Sequence, residues 1–229
     1  MENQADLNPV LTVGIIMPSD FPQVPYDAIH RYCLPTVTNE PPDGEKWCEY
    51  QGAWNAIAYR FRALSDHDVA YVDAIAGQNP EDRYQQEREL FGFFVSGLAT
   101  LEACCYGLYF LGSLVKPLTF PVENRRGITP SKTKDCYSEA FPNDPLTSVL
   151  EVLIRDDDYK DWRAFRNVLL HRSAPGRIIS VGGESPRHDT WKLKETFLTR
   201  ELTSTRRHWL ASVLQDLLSK ALPFVESHI

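Results

Sequence analysis

The chain has 229 residues, 43% of them hydrophobic, and a formal net charge of −7. That length buries a substantial core without disulfides, and the acidic balance argues against a protein that coats nucleic acid. The five cysteines (Cys33, Cys48, Cys104, Cys105, Cys136) are odd in number and show no zinc or redox spacing.

The start, MENQADLNPV, is polar and acidic and does not read as a secretory signal. With the cysteine usage, this sets the expectation of a reducing cytoplasm. Charge is uneven. Residues 1–124 carry 7 Lys/Arg and 17 Asp/Glu, whereas residues 125–229 carry 17 and 14. A polyanion contact is therefore expected in the C-terminal half.

Residues 1–45 are rich in proline, which fixes φ and removes a donor, so an extended arm is expected there rather than a long helix. Val10–Met17 suits one short strand or an extended arm. From Trp47 the period becomes helical: Trp54, Ile57, Ala58, Phe61 and Leu64 recur on one face. The spacing predicts a helix over 47–76, kinked near Ser65–Asp66 and ended by Gly77, Asn79 and Pro80.

Glu81–Lys116 reads as a second, long helix whose part Phe91–Val115 carries one charge, Glu102. It is long enough to span a bilayer. The central carboxylate instead favours a buried bundle helix and no membrane partner. Gly92, Gly97, Gly107 and Gly112 would permit close helix contact.

Residues 117–143 read as an irregular connection with a basic, turn-forming stretch at Asn124–Lys134. Asp144 and Pro145 make a helix start. Asp156–Asp158 breaks or caps that helix, and a further one runs over about 158–172 until Pro175 and Gly176 stop it. Arg177–Val181 and Trp191–Leu193 suit a small hairpin turning at Gly182–Pro186. A last helix begins near Thr203 or Ser204. About five helices result, and no strand–helix alternation supports a doubly wound sheet. The expected fold is an all-α bundle over 46–229 with a proline-rich arm at 1–45.

Phosphate-loop, dinucleotide, serine-hydrolase and zinc-protease motifs are absent from the sequence. No cofactor or metal is called for. One segment carries chemistry: Arg166-Asn167-Val168-Leu169-Leu170-His171. Metal-independent RNA cleavage needs a base for the 2′-hydroxyl, an acid for the leaving oxygen and a cation on the phosphorane. Histidine serves either proton role, arginine offers a permanent planar fork to phosphate, and Asn167 orients a ligand or side chain. On a straight helix, positions 166 and 171 lie about 140° apart. Either the helix bends at the motif, or two copies share one cleft.

These six residues resemble the signature of HEPN domains: an Arg, a polar residue and then a His a few positions on. The resemblance implies an all-α, usually dimeric bundle with two motifs framing one cleft. It also implies, for many members, RNase activity leaving cyclic phosphate ends. The toxin members imply an antitoxin-like protein partner, and other members have lost catalysis. The helical layout of roughly 47–225 fits loosely, and residues 1–45 lie outside it. Some toxin members carry a Tyr two residues after the His; Ser173 stands there here.

The resulting expectations are Arg166, Asn167 and His171 as catalytic residues, with Arg163, Arg172, Arg177 and Glu102 as an RNA-binding rim or orienting set. Arg206 and Arg207 are further rim candidates. A bland reading stands beside this one. His171 caps carbonyls at a helix end, Arg166 pairs with Glu102 or Asp158 inside the bundle, and Cys104 and Cys105 are core residues. The first reading makes an endoribonuclease acting on RNA as a homodimer. The second makes a non-catalytic helical interaction or nucleotide-binding module.

Overall fold

The computed structural model describes residues 14–38, 44–178 and 190–229. Among them are seven α-helices and one three-stranded antiparallel sheet. The fold is mostly helical, as expected, with more helices than the five foreseen.

The central element is α3, Pro80–Val115, a 36-residue helix. Its start is chemically explicit. The Asn79 side chain accepts from the Asp82 N–H at 2.9 Å, the Asp82 carboxylate accepts from the Asn79 N–H at 3.1 Å, and Pro80 occupies the first turn. This reciprocal cap satisfies two backbone donors that a helix start leaves orphaned. Asn79 and Pro80 therefore begin α3 as well as closing the segment before it. The most apolar 18-residue window of α3 is 72% buried by its neighbours. It is long and apolar enough to cross a bilayer, but here it is the core helix of the bundle.

Helix α2, Gly44–Ala74, lies along α3 and runs unbroken through Ser65 and Asp66, where a kink was expected. Its apolar stripe Trp54, Ile57, Ala58, Phe61 and Leu64 is buried.

The proline-rich segment departs from the expectation. Gln23–Thr38 is helix α1, packed against the C-terminal helix. Pro22 precedes it and Pro25 falls in its first turn, where an N–H has no helical acceptor, so proline costs nothing there. Tyr26, Ile29 and Cys33 form its buried face. The Tyr26 hydroxyl donates to the Trp54 carbonyl at 2.9 Å. Of Val10–Met17, expected as a short strand or an extended arm, residues 10–13 lie outside the described residues, and 14–17 form no strand.

The segment 117–143 also departs. After a short 3-10 turn, Arg125–Gly127, comes helix α4, Pro130–Ala140. Thr129 caps it and Pro130 opens it, and Thr133, Cys136 and Tyr137 are buried. Thr133 and Tyr137 donate to the Cys105 and Leu108 carbonyls at 3.1 and 2.8 Å, fixing α4 on α3.

Helices α5, Pro145–Arg155, and α6, Asp157–His171, follow as expected, with Asp144 and Asp156 as caps. Strand β1, Gly176–Ile178, pairs with β2, Thr190–Leu193, which pairs with an unforeseen β3, Thr196–Leu198. The β2–β3 turn passes through Lys194 at φ 53°, a left-handed conformation uncommon outside glycine. The expected turn at Gly182–Pro186 lies outside the described residues. Helix α7, Arg200–His228, starts a few residues earlier than expected because Thr199 caps it.

Candidate functional site

Helix α6 carries the motif, and its position follows from one close approach. Gly97 of α3 has no side chain, and the Trp162 indole fills the space a Cβ would take, 2.1 Å from that point. Trp162 is fully buried, stacks on Phe93 with ring centroids 5.5 Å apart, and donates from its indole N–H to the Phe94 carbonyl at 2.9 Å. Tyr159, Phe165 and Leu169 bury the same face. The opposite face exposes Arg163, Asn167 and His171, spaced four residues apart and so aligned along the helix.

Arg166 sits at the edge between these faces. Its guanidinium donates to the Glu102 carboxylate at 2.6 Å, with side chains 22% and 42% exposed. Asp158, the other candidate partner, instead meets Arg206 at 2.5 Å. Arg166, Asn167, Arg163, Tyr159 and Glu102 line one cavity of about 230 Å³ with Thr129, Pro130 and Ser131 of the α4 start. Burial raises the Tyr159 phenol well above its ordinary value, so it stays a neutral hydroxyl. The Arg163 guanidinium lies over the Tyr159 ring, 5.6 Å from its centroid.

Glu102, Thr129 and Pro130 also line a second, larger cavity of about 650 Å³ between α2, α3 and the 3-10 turn. Gly52, Ala53, Ala56 and Ala103 give it a floor without long side chains, and Tyr106, Glu49, Arg60 and Arg126 stand around it. Tyr106 donates to Glu49 at 2.9 Å, and Arg125 holds the other Glu49 oxygen at 2.6 Å. Burial and that bond push the Tyr106 phenol up to about 12. The two cavities form one groove with Glu102 at its junction.

The other sequence candidates fall elsewhere. His171 lines neither cavity, and its side chain forms no hydrogen bond or ion pair with a described residue; it is exposed at the end of α6, one turn beyond Asn167. Arg172 is exposed next to it. Arg177 lies over the Trp191 ring, 5.5 Å from its centroid. Arg206 is paired with Asp158 and Asp161, and Arg207 with Asp20 and Asp68, so both act in packing rather than as a rim. His67 meets Glu89 at 2.7 Å, and His188 lies outside the described residues. Burial pushes the Cys104 thiol up to about 12 and raises the Cys105 thiol well above its ordinary value, which fits core residues. Among the described residues no three His, Cys, Asp or Glu side chains form a metal-ligating group.

Sequence reading missed the larger cavity, because Gly52, Ala56, Tyr106 and Arg126 come from three separate segments and share no local motif. Comparison of the chain with family models, curated proteins and solved structures finds no match in any of the three.

Proposed function

We propose that this chain is a metal-independent endoribonuclease of HEPN type, acting as a homodimer. The observation that carries this reading is the open face of α6. Arg163 and Asn167 there face the same cavity as Arg166, and His171 continues the row into solvent. Guanidinium forks hold a phosphodiester by charge-assisted bonds. A 2′-oxygen then attacks the adjacent phosphorus, the 5′-oxygen leaves, and a 2′,3′-cyclic phosphate results. An imidazole removes the 2′-proton or protonates the 5′-oxygen, while Arg166 neutralises charge on the phosphorane.

A second reading, a non-catalytic nucleotide-binding or helical interaction module, is favoured by one observation: Arg166 is already engaged by Glu102. The deciding experiment incubates the full chain with mixed single-stranded RNA in the presence of a chelator, beside folded His171→Ala and Arg166→Ala variants. Cleavage by wild type that falls roughly 100-fold or more in His171→Ala supports the enzyme. No cleavage of any RNA, or full activity in His171→Ala, refutes it.

A further inference from the structure

The groove has two compartments of different chemistry, and the RNase reading uses only one. The smaller, at about 230 Å³, presents Arg163, Arg166 and Asn167 and suits a compact anion. The larger, at about 650 Å³, is within the range of small-molecule sites. Its floor of Gly52, Ala56 and Ala103 carries no long side chain, Arg60 and Arg126 stand at its edge, and Tyr106 adds an aromatic ring held in place by its bond to Glu49. A nucleobase stacks on an aromatic ring beside cationic side chains, and small residues in the floor leave room for it. At the junction, one Glu102 oxygen holds Arg166 and no described residue engages the other. A carboxylate oxygen between a base slot and a phosphate site is placed to accept from sugar hydroxyls.

We propose that this groove binds one ribonucleotide unit: phosphate at Arg163 and Arg166, ribose hydroxyls at Glu102, and base in the larger cavity beside Tyr106. This rests on the assignment of phosphate to Arg166 made above, but it requires no cleavage. The 2′-hydroxyl is the group that distinguishes RNA from DNA at such a site, so Glu102 becomes the residue that selects ribose.

Gly52 supplies a clean test. A Cβ built there meets nothing within 4 Å, so Gly52→Leu is expected to fold while projecting into the base slot. Titration calorimetry with wild type would use the four ribonucleoside 5′-monophosphates, their 2′-deoxy counterparts and inorganic phosphate. None contains a phosphodiester to cleave. At least one ribonucleotide should bind, with phosphate alone weaker and the deoxy form weaker by about tenfold, as for loss of a hydrogen bond to a charged acceptor. Gly52→Leu should weaken nucleotide binding by at least about tenfold at an undiminished melting temperature. Glu102→Gln should bring the ribo and deoxy affinities together.

Absence of binding by every nucleotide at millimolar concentration overturns the proposal. So does phosphate binding as tightly as the nucleotides, or unchanged binding in folded Gly52→Leu. Displacement of bound mononucleotide by a short single-stranded oligoribonucleotide assigns the subsite to RNA, and retention assigns it to free nucleotide; ribonucleotide recognition stands in both. RNA cleavage without nucleotide binding would sink this inference alone. Nucleotide binding without cleavage would sink only the RNase reading.

Discussion

Gly97→Ala adds one methyl group at the contact that seats the motif helix. The new Cβ would stand 2.1 Å from Cζ2 of Trp162, and 2.8 and 2.9 Å from Cε2 and Cη2, where ordinary contact begins at 3.4 Å. The indole or α6 must therefore retreat by 3.4 − 2.1, about 1.3 Å. The indole has little room to turn. It is stacked on Phe93, packed against Trp209 with centroids 5.7 Å apart, and hydrogen-bonded to the Phe94 carbonyl. Overpacking of this kind costs roughly 1–3 kcal/mol, and a shift of this size belongs at the upper end. Replacing a mid-helix glycine by alanine returns about 0.8–1 kcal/mol of helix propensity. The net expectation is destabilisation by about 1–2 kcal/mol. Gly52→Ala is the internal control: nothing lies within 4 Å of its Cβ, so only the propensity gain remains and it should stabilise by roughly 0.5–1 kcal/mol. Urea unfolding followed by tryptophan fluorescence measures both. A Gly97→Ala midpoint equal to or above wild type would refute the packing argument, since nothing else in that contact could absorb the methyl.

Burial lowers the pKa of His30 from 6.5, against a smaller opposing pull from Asp27. The folded state thus prefers neutral imidazole, and the stability this contributes is complete above 6.5 and lost as pH falls towards the lowered folded value. Melting temperature should fall between pH 7.5 and 5.5 and flatten in His30→Gln; an unchanged slope in that variant would discount His30. Asn79→Ala removes a side-chain acceptor and half of a reciprocal cap on α3, so it should cost about 1 kcal/mol in denaturant unfolding, and a loss below measurement error would show the cap to be idle.

The legible parts of the fold were those governed by local pattern. The long helices α2 and α3 declare themselves by periodicity, and the starts of α5 and α6 by Asp144-Pro145 and Asp156. The glycines of α3 allow close helix contact at Gly97 against Trp162 of α6 and at Gly92 against His67 of α2. The number of prolines hides helix α1, whereas their position does not: Pro25 in a first turn breaks nothing, and Tyr26, Ile29 and Cys33 have helical spacing. The basic run masks helix α4, although Thr129-Pro130 gives the same cap-and-proline start as Asp144-Pro145. At the site, the Arg166–Glu102 pair was legible as one of two options because Glu102 is the lone charge in an apolar helix. The groove was not, since its floor is defined by what Gly52, Ala56 and Ala103 lack, and absence of side chain means nothing until two helices lie side by side.

The geometry of α6 places a condition on the RNase reading that a single mixing experiment can test. The helix carries regular structure from Asp157 to His171 with no break between Arg166 and His171. The two side chains therefore keep the separation of about 140° that a straight helix imposes. Arg166 turns towards Glu102 and the cavity, while His171 points to solvent. One copy cannot easily present both to one phosphate. Two copies related by a two-fold axis can, with Arg166 of one chain and His171 of the other at each reacting phosphate. Arg166→Ala and His171→Ala should each be inactive alone. Mixed, unfolded and refolded together, about half the dimers are mixed, and each mixed dimer holds one complete site out of two, so activity should return to about a quarter of wild type. Chains that act alone hold no complete site in either variant and would recover nothing. Recovery should also disappear on dilution below the dimer dissociation constant. Cleavage by wild type without any recovery on mixing, with dimers shown to exchange, would mean that one chain supplies both groups.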